Sequence, residues 1–515
     1  MPNRQRNLLI SRAFRNSSGW GFAAVFLLCS VALAQDQAGP LRFRIKLSPE
    51  LLAGSQSGRL IVFLSAEIEP QQELRREPGE TYHSMWMAAE EIRNLHAGEI
   101  FNFDPDRLAW PTPLSKAPPG DYQVMAVLDV NHHYAYNGLN PGDLRSEVIQ
   151  LKNLDPRRTA PLELSLTKRV PQPQFDLPPT IELIDFPSPL LSRFWGKPIH
   201  MHGVVVLPPS YTRTKQHYTT AYVIPGFTSD ISFIAKLAPF VSVEGMANGV
   251  FPEMFHVVLD ESCPGGTHEF ADSVNNGPWG KALTQELIPH LEAKYRMISN
   301  PKGRFLTGHS SGGWAVLWLQ VNYPGLFGGA WPTAPDPSDF RNFYGANLRV
   351  NPPENLYQGA DGAKRAEWVQ DWALQDRVLG SYGGLWESFE WVFSPKGDDG
   401  RPQPLFDRDT GAVDAVVARA WERYDIAEII RKNADSLRSS LDGKIHLIVG
   451  TADAFGPAAD RLLEETLKEN RIRATFTYVQ GRGHFDLDPA GGKPVHGSLL
   501  EQIFGEMDAI ARQQK

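Results

Sequence analysis

The first third of the chain has the pattern of short β-strands. Residues 42–47 alternate strictly between polar and apolar side chains, as a half-buried strand does, and 59–64, 122–128 and 162–166 have a similar strand character. Turn-forming residues separate these segments, and helical periodicity is scarce. The pattern predicts an N-terminal β-sandwich domain over residues 35–169.

The pattern changes after a proline-rich stretch, residues 170–180, which is typical of an extended, semi-rigid linker. Compact apolar runs then alternate with helical segments such as 282–295. Such runs are typical of strands buried on both faces of a parallel sheet. They are found at 204–207, 221–224, 256–259, 304–307 and 445–449. We therefore expect one α/β domain over residues 181–515.

Residues 336–430 interrupt the alternation of strands and helices. Eleven aromatic side chains fall within 340–393, although aromatics make up only 10% of the chain. This density predicts an inserted segment with a small core of its own. The insertion is expected to act as a lid over the active-site edge of the sheet, with rings that either contact a ligand or simply pack together.

The N-terminus resembles an export signal. A basic stretch precedes the apolar run 21–34, which ends in Ala32-Leu33-Ala34 and is short for a membrane span. Cleavage after Ala34 predicts an exported protein, periplasmic or extracellular, without stable membrane insertion. Cleavage also removes Cys29 and leaves Cys263, for which we expect a structural role. The net charge of −8 over 515 residues gives no reason to expect nucleic-acid binding.

The strongest chemical signal is Gly308-His-Ser-Ser-Gly312, a G-x-S-x-G pattern between an apolar strand and a helix. In this context the serine lies on a strained turn, where larger side chains two positions away would collide with it. The pattern predicts that Ser310 is a nucleophile. A serine hydroxyl is weak at neutral pH, so a base must remove its proton.

The base and the acid are expected to follow the serine in chain order Ser, acid, His. His446 lies inside a strand and His496 precedes the last helix, whereas His484 directly follows the strand 474–479, so His484 is the predicted base. Asp453 follows the preceding strand and is the predicted acid, with helix capping as its alternative role. Asp460 and Asp486 are the fallback acids.

An oxyanion hole needs two backbone N–H donors aimed at the developing negative charge. We expect one from Ser311 and the other from Phe227, in the loop after the strand 221–224. Gly226 permits close approach there, and Pro225 has no N–H to offer.

These residues resemble a known family. Gly308-His-Ser-Ser-Gly-Gly-Trp314 and Tyr323-Pro-Gly-Leu-Phe327 are similar to the esterase family that includes esterase D, enterochelin esterases, feruloyl esterases and mycolyltransferases, as is Asn275-Asn-Gly-Pro-Trp-Gly280. The resemblance covers roughly 195–335 and 440–510. It implies an α/β-hydrolase fold and the Ser310, Asp453 and His484 triad. The family often has a His-Gly oxyanion loop, where this chain has Ile224-Pro-Gly-Phe227.

Several other side chains have weaker signals. Gly226, His268 and His309 are candidates for contact with the substrate. His132-His133, near Asp129 and Asn131, lacks the glycine and distal glutamate of a calcium loop. His200 and His202 alternate along one strand and are expected to be exposed sheet residues. No metal and no cofactor are predicted.

The predicted function is hydrolysis of carboxylic esters, on a small-molecule or glycan ester, through an acyl-enzyme. One alternative is acyl transfer to a sugar or lipid alcohol by the same triad. Another is an inactive, hydrolase-like binding protein. The oligomeric state is not predicted.

Overall fold

The computed structural model describes residues 39–51, 54–66, 84–132, 139–380 and 384–513. The predicted leader and His133 lie outside these ranges. Among the described residues no helix has both the length and the apolar character needed to cross a membrane.

The N-terminal region is built from strands in two sheets. Within the described residues these strands are β1 (Phe43–Leu47), β2 (Ser55–Ser65), β3 (Met85–His96), β4 (Ile100–Phe103), β5 (Ala109–Trp110), β6 (Gly120–Asp129), β7 (Leu144–Arg145), β8 (Ile149–Leu154), β9 (Leu162–Leu166) and β10 (Lys168–Arg169). One sheet has the order β4-β1-β9, and the other has the order β10-β7-β6-β2-β3-β5 with β8 paired to β6. The chain therefore has the β-rich N-terminal region that its alternating pattern indicates.

The two faces of the larger N-terminal sheet contact different partners, because successive side chains of a strand point to opposite faces. Leu60 and Val62 of β2 share one apolar cluster with Phe43 of β1 in the smaller sheet. Ile61 and Phe63 of the same strand belong to another cluster, which also contains residues 378 and 379 of the inserted segment.

The catalytic region contains one large sheet. Its strands in the described residues are β11 (Ile181–Pro187), β12 (His200–Val206), β13 (Thr220–Ile224), β14 (Phe255–Leu259), β19 (Arg304–His309), β20 (Gly329–Thr333), β21 (His446–Gly450) and β22 (Thr475–Val479). The short strands β15 (Ser262–Cys263), β16 (Gly266–Thr267), β17 (Asp272–Ser273) and β18 (Gly277–Pro278) form two separate hairpins. The order is β11-β12-β14-β13-β19-β20-β21-β22, and the strands from β14 to β22 along this order are parallel.

Helices cover both faces of this sheet, as a mostly parallel sheet requires. The described helices are α1 (Pro189–Trp195), α2 (Ile231–Ala238), α3 (Glu244–Ala247), α4 (Trp279–Ala282), α5 (Ile288–Lys294), α6 (Ser311–Asn322), α7 (Glu367–Leu379), α8 (Leu385–Phe393), α9 (Ala415–Trp421), α10 (Ile426–Leu441), α11 (Pro457–Glu469) and α12 (Leu499–Gln513). Residues of α5 and α6 pack on one face, and residues of α2 and α12 pack on the other. The α/β domain predicted from the apolar runs thus has the expected layered arrangement.

The inserted segment does not have the separate core that its aromatic density suggests. Its buried rings, such as Trp386 and Phe393, lie in one cluster with Trp314 of α6 and with Leu447 and Val449 of β21. The insertion is therefore continuous with the core of the catalytic region.

The insertion also contacts the N-terminal sheet through α7. Trp110 Nε1 donates to Asp371 Oδ1 at 2.8 Å, and Arg59 Nε donates to the carbonyl of Val378 at 2.8 Å. Val378 and Trp110 also belong to the apolar cluster that contains Phe63. The inserted segment thus lies between the β-rich region and the catalytic sheet.

Candidate active site

Ser310 lies on the sharp turn between β19 and α6. Its backbone has φ 58° and ψ −124°, a strained conformation for a residue with a side chain. A Cβ on Gly308 would lie 2.2 Å from the carbonyl oxygen of Gly312, and a Cβ on Gly312 would lie 2.0 Å from that of Ile224. Both positions therefore need glycine, and the turn holds the Ser310 side chain at the carboxyl edge of the sheet.

His484 joins the other two predicted residues. Its Nε2 lies 2.9 Å from Ser310 Oγ, and its Nδ1 lies 3.0 Å from Asp453 Oδ2. A carboxylate can only accept, so Asp453 fixes the ring proton on Nδ1 and leaves Nε2 to accept from the serine hydroxyl. The side chains of His484 and Asp453 are 5% and 1% exposed. The arrangement can remove the proton of Ser310 without a water molecule between them.

The loops that carry Asp453 and His484 are fixed to each other by backbone contacts. Asp453 follows β21, and its Oδ1 accepts from the N–H of Phe455 at 2.7 Å. The N–H of Ala452 donates to the carbonyl of Arg482 at 2.9 Å. A Cβ on Gly450, the last residue of β21, would lie 2.0 Å from that carbonyl oxygen. Glycine at this position allows the two loops to lie side by side.

The fallback residues lie in other environments. Asp460 is fully buried in α11, and burial raises its pKa well above the ordinary value. Asp486 accepts from the N–H of Gly483 at 2.6 Å and so supports the loop before His484.

The other two histidines that follow Ser310 in the sequence, and Cys263, have different surroundings. His446 stacks on Trp331 with the rings 4.4 Å apart, and His496 pairs with Glu501 on the surface. For Cys263, burial raises the pKa of the thiol to about 12, so this group stays protonated at neutral pH.

The two predicted oxyanion donors follow elements that meet at the turn. Ser311 is the first residue of α6, and Phe227 follows β13 by three positions. Gly226 has φ 113°, and a Cβ there would lie 2.4 Å from the carbonyl oxygen of His309. Gly226 therefore permits the loop before Phe227 to pack against the Ser310 turn.

The other two candidate substrate contacts have partners within the protein. His309 Nδ1 lies 3.0 Å from Thr333 Oγ1, and burial lowers the pKa of His309 to about 3. His268 is fully buried and stacks on Trp279 at 3.7 Å between ring centroids. The N–H of Phe270 donates to His268 Nδ1 at 3.1 Å.

Three buried carboxyl groups near Ser310 are absent from the sequence prediction. Glu261 Oε1 accepts from Ser311 Oγ at 2.6 Å, and the N–H of Asp336 donates to the carbonyl of Ser310 at 3.2 Å. Burial raises the pKa of Glu261 to about 8 and that of Asp336 to about 6. Burial, with Asp336 and Glu261 nearby, also raises the pKa of Glu269 well above its ordinary value.

A sequence signal for two of these carboxyl groups did exist. Glu261 follows β14 by two residues and Asp336 follows β20 by three, just as Asp453 follows β21 by three. Carboxyl ends of parallel strands meet at one edge of the sheet, which is where α/β sites form. Glu269 had no comparable signal, because it lies in a loop beyond two short strands.

An apolar cleft of about 490 Å³ borders the site. His309 and His484 line it together with Phe233, Leu237 and Ile503 from α2 and α12. The cleft is large enough for the apolar part of a small ligand.

The parallel sheet with its serine turn and the Ser–His–Asp arrangement define the class of serine hydrolases with an α/β-hydrolase-like fold. Residues 198–492 match the model of the family described as "Putative esterase", which covers more than half of the chain. The chain belongs to this family of carboxylic ester hydrolases.

Solved structures similar to this chain carry related names. A ferulic acid esterase is 15% identical with a TM-score of 0.40, over 65% of this chain and 100% of that one. The fluorophosphonate-binding serine hydrolase FphF of Staphylococcus aureus is 13% identical with a TM-score of 0.38, over 64% and 98%. An S-formylglutathione hydrolase from Agrobacterium tumefaciens is 13% identical with a TM-score of 0.40, over 66% and 98%. Because the sequence identities and the TM-scores are low, the family assignment rests on the family model.

The comparison with curated proteins found no match.

Proposed function

We propose that this protein is an exported serine esterase that uses Ser310, His484 and Asp453 as its catalytic triad. The observation that carries the proposal is the pair of hydrogen bonds on the His484 ring, 2.9 Å to Ser310 Oγ and 3.0 Å to Asp453 Oδ2. This pair of bonds connects a nucleophile to a base, and the base to the carboxylate that orients it.

In the first half of the reaction, Ser310 Oγ attacks the carbonyl carbon of the ester and its proton passes to His484 Nε2. Asp453 stabilises the imidazolium that forms, because its carboxylate accepts the Nδ1–H. His484 then gives the proton to the leaving alcohol oxygen as the ester C–O bond breaks. The acyl group remains on Ser310 Oγ.

The backbone N–H groups of Ser311 and Phe227 stabilise the negative oxygen of the tetrahedral intermediate. Glu261 supports the first donor, because its carboxyl oxygen accepts from Ser311 Oγ and holds that residue in place. Gly226 supports the second, since it keeps the loop against the carbonyl of His309.

In the second half of the reaction, water gives a proton to His484 as its oxygen attacks the acyl carbon. His484 then gives that proton to Ser310 Oγ as the bond between Oγ and the acyl carbon breaks, which releases the acid and restores Ser310. An alcohol in place of water would make the same site an acyltransferase. Product analysis with and without an added alcohol distinguishes the two outcomes.

The substrate we propose is a small-molecule or glycan ester with an apolar portion. The apolar cleft beside His309 and His484 provides one surface for it. The insertion contributes another, because Trp368 lies 4.6 Å from the ring of Phe455, which lies 4.4 Å from the ring of His484. In this proposal residues 336–430 form a wall of the site that is braced against the N-terminal sheet.

The test is labelling of the purified protein with a fluorophosphonate probe, followed by mapping of the modified peptide and a screen of ester substrates. We expect label on Ser310, its loss in Ser310→Ala, and at least a 10³-fold drop in ester hydrolysis for Ser310→Ala and His484→Ala. His496→Ala is the matched control, since His496 also pairs with a carboxylate but lies on the surface. A folded protein that takes no label on Ser310 would overturn the proposal and favour a binding protein.

A further inference from the structure

A second cluster of histidine and carboxylate side chains lies on the antiparallel edge of the catalytic sheet. Asp185 of β11 is paired in register with His202 of β12, and His200 lies two residues before His202. Side chains two apart on a strand point to the same face, so both imidazoles and the carboxylate project from one side of the sheet. The strands β14 and β13 separate β12 from β19, which leads to Ser310.

The three side chains are already close enough to share an ion. His200 Nδ1 lies 2.5 Å and His202 Nε2 lies 3.4 Å from the same oxygen, Asp185 Oδ1. One ligand atom from each residue lies within 4.8 Å of the others. Bonds of about 2.0–2.1 Å to Zn²⁺ place tetrahedral ligands roughly 3.3 Å apart. Small side-chain rotations therefore suffice to bring the three atoms around one ion.

The charges at this cluster also suit a cation. The ion pairs of Asp185 among the described residues are with His200 and His202, so its carboxylate has no lysine or arginine as a competing partner there.

We propose that Asp185, His200 and His202 form a binding site for a divalent transition-metal ion of the Zn²⁺ type. Two nitrogens and one carboxylate oxygen are the ligand set that Zn²⁺ and its late first-row neighbours prefer, whereas Mg²⁺ and Ca²⁺ prefer oxygen ligands alone. Three protein ligands leave the fourth tetrahedral position open to water or to another group.

The site lies where three parts of the chain meet. The cleft that His200 and His202 line has a volume of about 540 Å³ and also contains Asn140 and Pro141 of the N-terminal region and Pro173 of the linker. Because the metal ligands come from two strands, a bound ion clamps β11 to β12 at this junction. We expect the ion to stabilise the folded protein rather than to take part in the reaction at Ser310.

The experiment is titration of the chelator-treated full chain with ZnCl₂ by isothermal calorimetry, together with thermal unfolding with and without Zn²⁺. We expect one site with a Kd in the micromolar range or below, no comparable binding of Mg²⁺, and a Tm increase on the order of 2–5 °C at saturation. Asp185→Asn, His200→Ala and His202→Ala should each weaken Zn²⁺ binding at least 10-fold.

His496→Ala is the matched control, because it removes a surface histidine–carboxylate pair, His496 with Glu501, that lacks a second histidine. This variant should bind Zn²⁺ like the natural sequence. X-ray absorption of the Zn²⁺-loaded natural protein gives a readout that needs no variant and should show two imidazole ligands. Absence of stoichiometric binding, or binding that survives the combined substitution of all three residues, would overturn the proposal.

Discussion

Within the described residues, two histidine–carboxylate arrangements lie at the large catalytic sheet, and they differ mainly in burial and in the third partner. At the Ser310 turn the side chains of His484 and Asp453 are 5% and 1% exposed. At the antiparallel edge the side chains of His200 and Asp185 are 37% and 67% exposed. A buried pair next to a hydroxyl activates a nucleophile, whereas an exposed pair with a second imidazole is suited to a metal ion. Under the two proposals, the same residue types have different chemistry because their surroundings differ.

The largest expected difference between the two arrangements is in catalysis. Asp453→Asn should lower kcat by about 10³- to 10⁴-fold, because an amide no longer fixes the tautomer of His484 or stabilises its imidazolium form. Asp185→Asn should change kcat by less than twofold, since β13 and β14 lie between β12 and the strand that leads to Ser310. The measurement is steady-state kinetics on the best ester from the screen. Equal losses in the two variants would contradict the separation of the sites.

The positions of Ser310, Asp453 and His484 could be predicted because each depends on local order along the chain. Each follows an apolar strand, and the carboxyl ends of parallel strands converge whatever the details of packing. The β-rich character of the N-terminal region and the α/β alternation beyond residue 180 are local in the same sense.

The features that sequence reasoning missed depend on contacts between distant segments. The contact between Asp185 and His202 depends on the register of two strands, and the bond between Trp110 and Asp371 joins residues 261 positions apart. An aromatic-rich insertion gives no indication of whether its rings form a separate core or join an existing one. Here they join the core around Trp314, because α6 presents apolar side chains on that side.

A smaller effect should follow from displacing the loop that precedes Phe227. Gly226→Ala places a methyl group 2.4 Å from the carbonyl oxygen of His309 at a φ of 113°, so the loop before Phe227 must shift. A displacement of this kind should lower kcat/KM about 10- to 100-fold. Gly505→Ala is the control, because nothing lies within 4 Å of a Cβ at this position in α12. Unchanged kinetics in Gly226→Ala would remove Phe227 as an oxyanion donor.

The smallest expected effect concerns the pH dependence of stability that the buried carboxyl group of Glu261 produces. Burial raises the pKa of Glu261 from 4.5 to about 8, so between these values the folded protein holds a proton that the unfolded chain has released. Glu261 is 1% exposed, so solvent screens this effect little. Its contribution to stability is therefore greatest at low pH and falls as the pH rises towards 8.

The variant Glu261→Gln tests this contribution, because it keeps an acceptor for Ser311 but does not titrate. Between pH 7 and 8 the stability of the natural protein should fall by on the order of 1 kcal/mol more than that of Glu261→Gln, measured by urea unfolding. The histidines contribute little in this range, because buried His256 and His309 are neutral when folded and largely neutral when unfolded. A Glu261→Gln protein with an unchanged slope would mean that this carboxyl group is ionised in the folded state, and that burial alone does not set the chemistry around Ser310.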